Sequence, residues 1–322
     1  MKKVFLVFAS VLAVSAFILF QSCNTKELIS ENVTTDEQEL AFEQFKADLK
    51  SLNYDLGYPE LMETKGGWGK DFTRDVADAV GGALGTRFGG TIGISIGTAF
   101  GGFGGLAGYV VGHKYGGLIG TVLFSTAAGA IYDLCSGCSI TINQLPGSNT
   151  TICPSDESLS LGEVHNLLLS SIRSNGKQYI LEGGTIAIDE LYNDILSYAE
   201  EMNIEDVLSR NEGYIAYIKD CCNEIADITF QDAKGTLCDS YKNTMKEFCE
   251  DKGLSSIEAQ NVMDVISITE VAAVLDEPQA IEYEKRFEEL VDNSNLSLNN
   301  KAIIKTAGSI SIMSNNYWYA KK

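Results

Sequence analysis

The sequence predicts an all-α protein in which a glycine-zipper helical hairpin is followed by a multi-helix C-terminal bundle. Two patterns support this fold class. Glycine recurs at every fourth position across residues 80–132, and after residue 160 apolar side chains recur at helical spacing between capping and turn residues. Charge separates the two parts, because residues 80–132 contain Arg87, Lys114 and no acidic residue, whereas the chain as a whole has 24 basic and 44 acidic residues.

The N-terminus reads as an export signal. Met1-Lys2-Lys3 is a basic start, and an apolar run follows it up to Phe20-Gln21-Ser22-Cys23. This ending resembles a bacterial lipobox of the relaxed kind seen in Bacteroidetes lipoproteins. The resemblance implies a lipoprotein signal peptide at residues 1–22, with Cys23 diacylated and anchored to the outer membrane or cell surface. An ordinary secreted protein is the alternative.

Residues 23–70 are expected to form an acidic tether followed by a short amphipathic helix. The first part is polar and poor in large apolar residues, which is typical of a flexible segment. A helical apolar face then appears within residues 37–52, and it consists of Leu40, Phe42, Phe45, Leu49 and Leu52.

Residues 71–133 form the predicted membrane-active hairpin. Its zipper glycines fall into two four-residue series, Gly81, Gly85, Gly89, Gly93, Gly97, Gly101 and Gly105, and then Gly104, Gly108, Gly112, Gly116 and Gly120. Residues four apart share a helix face, so each series clears a strip along which another helix can approach closely. Glycine is costly in a water-exposed helix, and a bilayer offsets that cost because it forces the backbone to bond internally.

Two divisions of the hairpin remain open at this stage. A break at residues 101–105, where the series change phase, gives arms of about 26 residues, and each arm is long enough to cross a hydrocarbon core of about 30 Å. The alternative turn is at His113-Lys114. A further alternative is a glycine-rich loop or a soluble hairpin buried in the rest of the chain.

Residues 134–160 are expected to be a cysteine-containing connector, and residues 161–322 a helical bundle domain. The bundle's predicted helices cover residues 162–174, 185–202, 205–228, 233–252, 255–275, 279–291 and 298–319. Ser255 with Glu258, and Asp276 before Pro278, are predicted helix starts.

Eight cysteines include Cys23 and seven others. Export makes disulfides plausible among these seven, and the sequence leaves their pairing open: Cys135, Cys138, Cys153, Cys221, Cys222, Cys238 and Cys249. No metal site is expected, because a single C-x-x-C has no second pair near it and the histidines lie elsewhere.

Composition argues against two classes of function. A net charge of −20 argues against a general nucleic-acid binder, which would need a basic face. No hydrolase, zinc-protease, phosphate-binding or dinucleotide motif occurs, and His165 is expected to be a helix-surface histidine. The sequence therefore predicts a protein that is not an enzyme and has no cofactor.

The zipper, the relaxed lipobox and the acidic helical C-terminal part together resemble the proteolytically activated, bacteriocin-like glycine-zipper lipoprotein toxins of Bacteroidales. That resemblance implies export, cleavage after arginine by a clostripain-like protease and killing of related cells by membrane disruption. The zipper also resembles the two-span glycine-zipper outer-membrane lipoproteins, which support envelope integrity, although these usually lack a long helical C-terminal domain.

The toxin resemblance predicts particular partners and cleavage sites. The expected partners are membrane lipid, further copies of the chain in the membrane, an arginine-specific protease and a target-cell outer-membrane receptor. Arg173, which precedes a flexible Ser-Asn-Gly segment, is the first candidate cleavage site, and Arg74 is the second. A surface binding module, in which the helical domain recognises a partner, is a third hypothesis.

Overall fold

The computed structural model describes residues 35–57, 70–99, 104–135, 160–180, 185–201, 211–237 and 239–319. Within these ranges the chain forms helices and no strand, which confirms the predicted all-α class. The α-helices, in chain order, are α1 (Thr35–Asp55), α2 (Lys70–Ala99), α3 (Gly104–Cys135), α4 (Leu161–Ser174), α5 (Ile188–Glu201), α6 (Glu212–Ala233), α7 (Tyr241–Asp251), α8 (Ser256–Thr269), α9 (Glu277–Asn293) and α10 (Leu298–Tyr319). A 3-10 helix, Glu270–Val274, joins α8 to α9.

Helices α2 and α3 form an antiparallel hairpin at the centre of the molecule. The backbone of Gly81 lies against Gly120, and Gly85 lies against Gly116. Helix α3 runs unbroken through His113, so the alternative turn at His113-Lys114 is wrong.

The C-terminal helices enclose the base of this hairpin. Helix α10 packs along α2, where Gly82 faces the side chains of Thr306 and Ile310. Helices α4, α5 and α6 contact α3, and α6, α7 and α8 contact α2. Side chains from residue 73 to residue 86 are buried, as are nearly all those from 112 to 131.

One apolar cluster runs through the hairpin and the helices around it. It includes Phe42 of α1, Leu84 of α2, Ile119 of α3 and Ile304 of α10, all of them buried. The segments 71–133 and 161–322 therefore share a core in the described structure.

Helix α1 buries four of its five predicted apolar residues, which are Phe42, Phe45, Leu49 and Leu52. Leu40 is 72% exposed, so the buried face is narrower than predicted. At the far end of α1, Asn53 donates from Nδ2 to the Ile268 carbonyl at 2.9 Å and accepts from the Tyr283 hydroxyl at 2.6 Å. These bonds join α1 to α8 and α9.

Local sequence sets the helix starts. Ser255 and Glu258 form a capping box at α8, and Asp276 and Gln279 form one at α9, so both predicted starts hold. A third capping box, Ser160 with Glu163, begins α4.

Candidate functional site

At four glycines the contact between α2 and α3 is made through the backbone. A Cβ added at Gly81 would lie 2.5 Å from the Gly120 carbonyl oxygen, and one at Gly85 would overlap the Gly116 carbonyl. We call this contact the glycine interface; it consists of Gly81, Gly85, Gly116 and Gly120. It joins residues from the two predicted glycine series, one on each arm.

Two residues beside the glycine interface close its flanks. The His113 imidazole lies against Gly90, where any Cβ would overlap the ring. From α6, the Tyr214 hydroxyl donates to the Gly116 carbonyl at 3.1 Å, and burial raises the pKa of Tyr214 well above its usual range. The neutral phenol is therefore kept as a donor to the hairpin backbone.

A buried polar cluster ties the base of α2 to α10. The Asp75 carboxylate accepts from Ser311 Oγ at 3.2 Å and from Asn315 Nδ2 at 2.9 Å, and the Ser314 hydroxyl donates to Asp78. We call this cluster the polar anchor; it consists of Asp75, Asp78, Ser311, Ser314 and Asn315. All five are inaccessible to solvent, at 0% exposure.

The polar anchor has an unusual charge balance. Burial, and then the neighbouring Asp78 carboxylate, raise the pKa of Asp75 well above its usual range. Side-chain donors from Ser311 and Asn315 oppose that rise only in part. Hydrogen bonds from Ser311, Ser314 and Asn315 of α10 hold these two carboxyl groups at the hairpin base.

His165 belongs to this buried region, so the expected surface position is wrong. Its Nε2 lies 3.5 Å from Asp78 Oδ2, and its Nδ1 lies 3.4 Å from Thr121 Oγ1, with all three residues at 0% exposure. A carboxylate, an imidazole and a hydroxyl in a row can serve catalysis where substrate reaches them. Here no solvent does, so the row links α2, α3 and α4 as a packing contact.

Both candidate cleavage arginines meet one aromatic ring. The Arg74 guanidinium carbon lies 4.3 Å from the Trp318 ring centroid, and that of Arg173 lies 4.6 Å from it. Arg74 is 6% exposed inside α2, whereas Arg173 is partly exposed in the last turn of α4. Trp318 also donates from Nε1 to Asp78 at 3.4 Å, so the ring sits at the edge of the polar anchor.

A second buried carboxyl group joins α9 to the start of α4. Glu284, at 1% exposure, accepts from Ser160 Oγ at 2.7 Å and from the Gly162 backbone N–H at 3.2 Å. Burial raises the pKa of Glu284 to about 8, and the nearby Glu288 and Glu163 charges add to that rise.

Four of the predicted disulfide candidates lie in the described residues, and all four carry free thiols. Cys221, Cys222 and Cys249 are buried and Cys135 is half-buried. Burial raises the pKa of Cys221 to about 12, so its thiolate is scarce at neutral pH. In the described ranges no three metal-ligating side chains converge.

Several predicted site residues fall outside the described ranges. They include Cys23, Cys138, Cys153, Cys238 and Gly101. The remaining zipper positions lie within helices, with Gly89, Gly93 and Gly97 on α2 and Gly104, Gly105, Gly108 and Gly112 on α3.

One described helical stretch is long and apolar enough to cross a membrane. It covers Gly112–Tyr132, with mean hydropathy 1.3, and 83% of it is buried inside the protein. Core helices of soluble proteins share these properties, so hydropathy alone does not decide where this helix belongs.

Comparison with known proteins gives no relative. No family model, no curated protein and no solved structure matches the chain.

Sequence reasoning missed the role of α10 in this site. Its inner face carries small or polar residues at helical spacing, namely Gly308, Ser311, Ser314 and Asn315. Such a stripe on an otherwise apolar helix is a signal for close packing against a neighbour. Asp75 and Asp78 of α2, three residues apart and just before a glycine series, are the complementary signal.

Proposed function

We propose that the chain is an exported, lipid-anchored antibacterial toxin of the glycine-zipper lipoprotein kind, held in an enclosed form. In this proposal, residues 80–132 leave the surrounding helices after proteolysis, enter a target membrane and associate there with further copies. The inserted oligomer makes the membrane leaky, and no enzymatic step is required.

One observation carries the proposal: the base of a glycine-lined hairpin, whose residues 80–132 contain no acidic residue, is buried under amphipathic helices and fastened to them by the polar anchor. Asp75 and Asp78 precede residue 80, so both carboxyl groups can stay at the membrane surface when the hairpin enters. Residues 80–99 of α2 span about 30 Å at about 1.5 Å per residue, which matches a hydrocarbon core.

The glycine interface can persist when the hairpin exchanges its contacts with the surrounding helices for contacts with lipid. Backbone contact between α2 and α3 depends on shape rather than on the hydrophobic effect, so it persists in lipid, where small residues drive helix association. The apolar contacts with α6 and α10, by contrast, can be exchanged for lipid at little cost. We therefore expect the hairpin to move as a unit.

The proposal is tested by growth inhibition of related strains. The native protein is compared with a Gly93→Leu, Gly97→Leu variant, because leucine at these zipper positions prevents close helix approach. We expect a clearing zone from the native protein and none from the variant, with both proteins secreted at equal levels.

The same assay identifies the alternative. No clearing zone from either protein, over a broad strain panel and after arginine-specific digestion, would contradict the toxin proposal. That result would favour a structural lipoprotein of the outer membrane that supports envelope integrity.

A further inference from the structure

Three helices that are far apart in sequence meet at one ring. Arg74 is in the first turns of α2, Arg173 is in the last turn of α4, and Trp318 is in the last turn of α10. Both guanidinium groups lie over the Trp318 ring, at 4.3 Å and 4.6 Å from its centroid. A cation over an indole face is attracted by the ring quadrupole, most strongly where water is excluded.

Each arginine is held on a further side as well. Arg74 occupies space that only a glycine of α3 leaves open, since a Cβ at Gly129 would lie 2.7 Å from Arg74 Nε. Arg173 interacts with the Tyr317 hydroxyl, which also lies 3.2 Å from Ser170 Oγ. The Tyr317 ring packs edge-on against Trp318 at 4.9 Å. Both guanidinium groups are thus fixed by contacts that centre on the end of α10.

A protease that cuts after arginine must draw that side chain into its own pocket and bind the flanking backbone in extended form. Neither condition holds while Arg74 and Arg173 stack on Trp318 within helices. We infer that Trp318 is a gate for proteolysis: it shields both arginines at once, and release of the end of α10 makes both cleavable together. The purpose of this gate rests on the proposed function, but its action does not.

Digestion of the folded full chain with an arginine-specific endoprotease tests the inference without any membrane. Cleavage at each site is followed by intact-mass spectrometry for the native protein, Trp318→Ala and Trp318→Phe. We expect the initial cleavage rate at Arg173 to rise at least about fivefold in Trp318→Ala, since a partly desolvated cation–π contact is worth about one tenfold step in equilibrium. Cleavage at Arg74 should rise with it, and Trp318→Phe should stay near the native rate.

Arg286 is the internal reference. It lies within α9, in none of the contacts with Trp318, and reports global loosening of the fold. An equal rise at Arg286 and Arg173, or an unchanged rate at Arg173, would overturn the inference. If Trp318→Ala does not fold by circular dichroism, Trp318→Leu replaces it, because leucine keeps apolar bulk without a π face. Failure here leaves the growth-inhibition result unaffected, so the two proposals fail separately.

Discussion

At the scale of single residues, the hairpin depends on two kinds of contact: close backbone packing at glycines and hydrogen bonds to buried carboxyl groups. The glycine interface removes side chains so that α2 and α3 touch through backbone atoms. Asp75 and Asp78 place carboxyl groups where water cannot reach them, and donors from α10 bond to one oxygen of each, Oδ2. The first feature makes the hairpin tight, and the second makes its attachment to α10 specific.

Gly85→Ala tests the backbone contact directly. The new Cβ would overlap the Gly116 carbonyl, which belongs to a helix backbone and cannot rotate away. We expect the free energy of unfolding to fall by about 1–3 kcal/mol, the usual cost of overpacking. Urea denaturation followed by circular dichroism measures this change.

Gly213→Ala is the matched control. Gly213 lies in the first turn of α6, where the nearest atom to a new Cβ is the Asn211 side chain at 3.2 Å. Alanine in a helix is favoured over glycine by up to about 1 kcal/mol, so this variant should be as stable as the native protein or more so. If both variants lose a similar free energy of unfolding, the loss in Gly85→Ala does not come from the backbone contact between α2 and α3.

At the scale of helices, some positions were predictable and others were not: α6 and α7 begin at Glu212 and Tyr241, seven and eight residues after the predicted starts at 205 and 233. The sequence predicted α4 and α10 to within a residue at each end, because caps and apolar spacing are local signals. The burial of His165 could not be predicted this way, since it depends on Asp78 and Thr121 arriving from two other helices. Pairing of Gly81 with Gly120 is an intermediate case, because four-residue spacing on both arms fixes a register once the hairpin is assumed.

The contact between α9 and α4 should make stability depend on pH. The pKa of Glu284 is raised to about 8 in the folded chain, so the folded state keeps a proton that the unfolded state releases above about 4.5. Its contribution is therefore fully present below pH 4.5 and is lost as pH rises towards 8. Between pH 5 and pH 8 we expect the native protein to lose about 3.5 kcal/mol more than Glu284→Gln, at roughly 1.4 kcal/mol per unit of pKa shift.

The comparison isolates Glu284 because both proteins keep Asp75, whose pKa is also raised. Glutamine can accept from the Gly162 N–H through Oε1 and donate from Nε2 to the Ser160 hydroxyl, as a protonated carboxyl group also can, so the shape of the contact is preserved. Urea denaturation curves that shift equally with pH in the two proteins would show that Glu284 is charged throughout.

At the scale of the whole molecule, helices from the strongly acidic part of the chain pack around the base of a hairpin that is nearly neutral. Residues 80–132 carry two basic side chains and no acid, and the remaining chain accounts for all 44 acidic residues. The sequence showed this separation of charge, but it left open whether the hairpin is exposed or enclosed. Enclosure follows from the shared core and from the small-residue face of α10, which depend on contacts between distant segments.

Dye release from phosphatidylethanolamine and phosphatidylglycerol vesicles tests the central claim most directly. The purified chain is added intact and after arginine-specific digestion, alongside the Gly93→Leu, Gly97→Leu variant treated identically. The enclosed-hairpin account predicts little release by the intact chain, strong release after digestion and little release by the digested variant. Equal release by both digested proteins, or none from either after cleavage is verified by mass spectrometry, would contradict it.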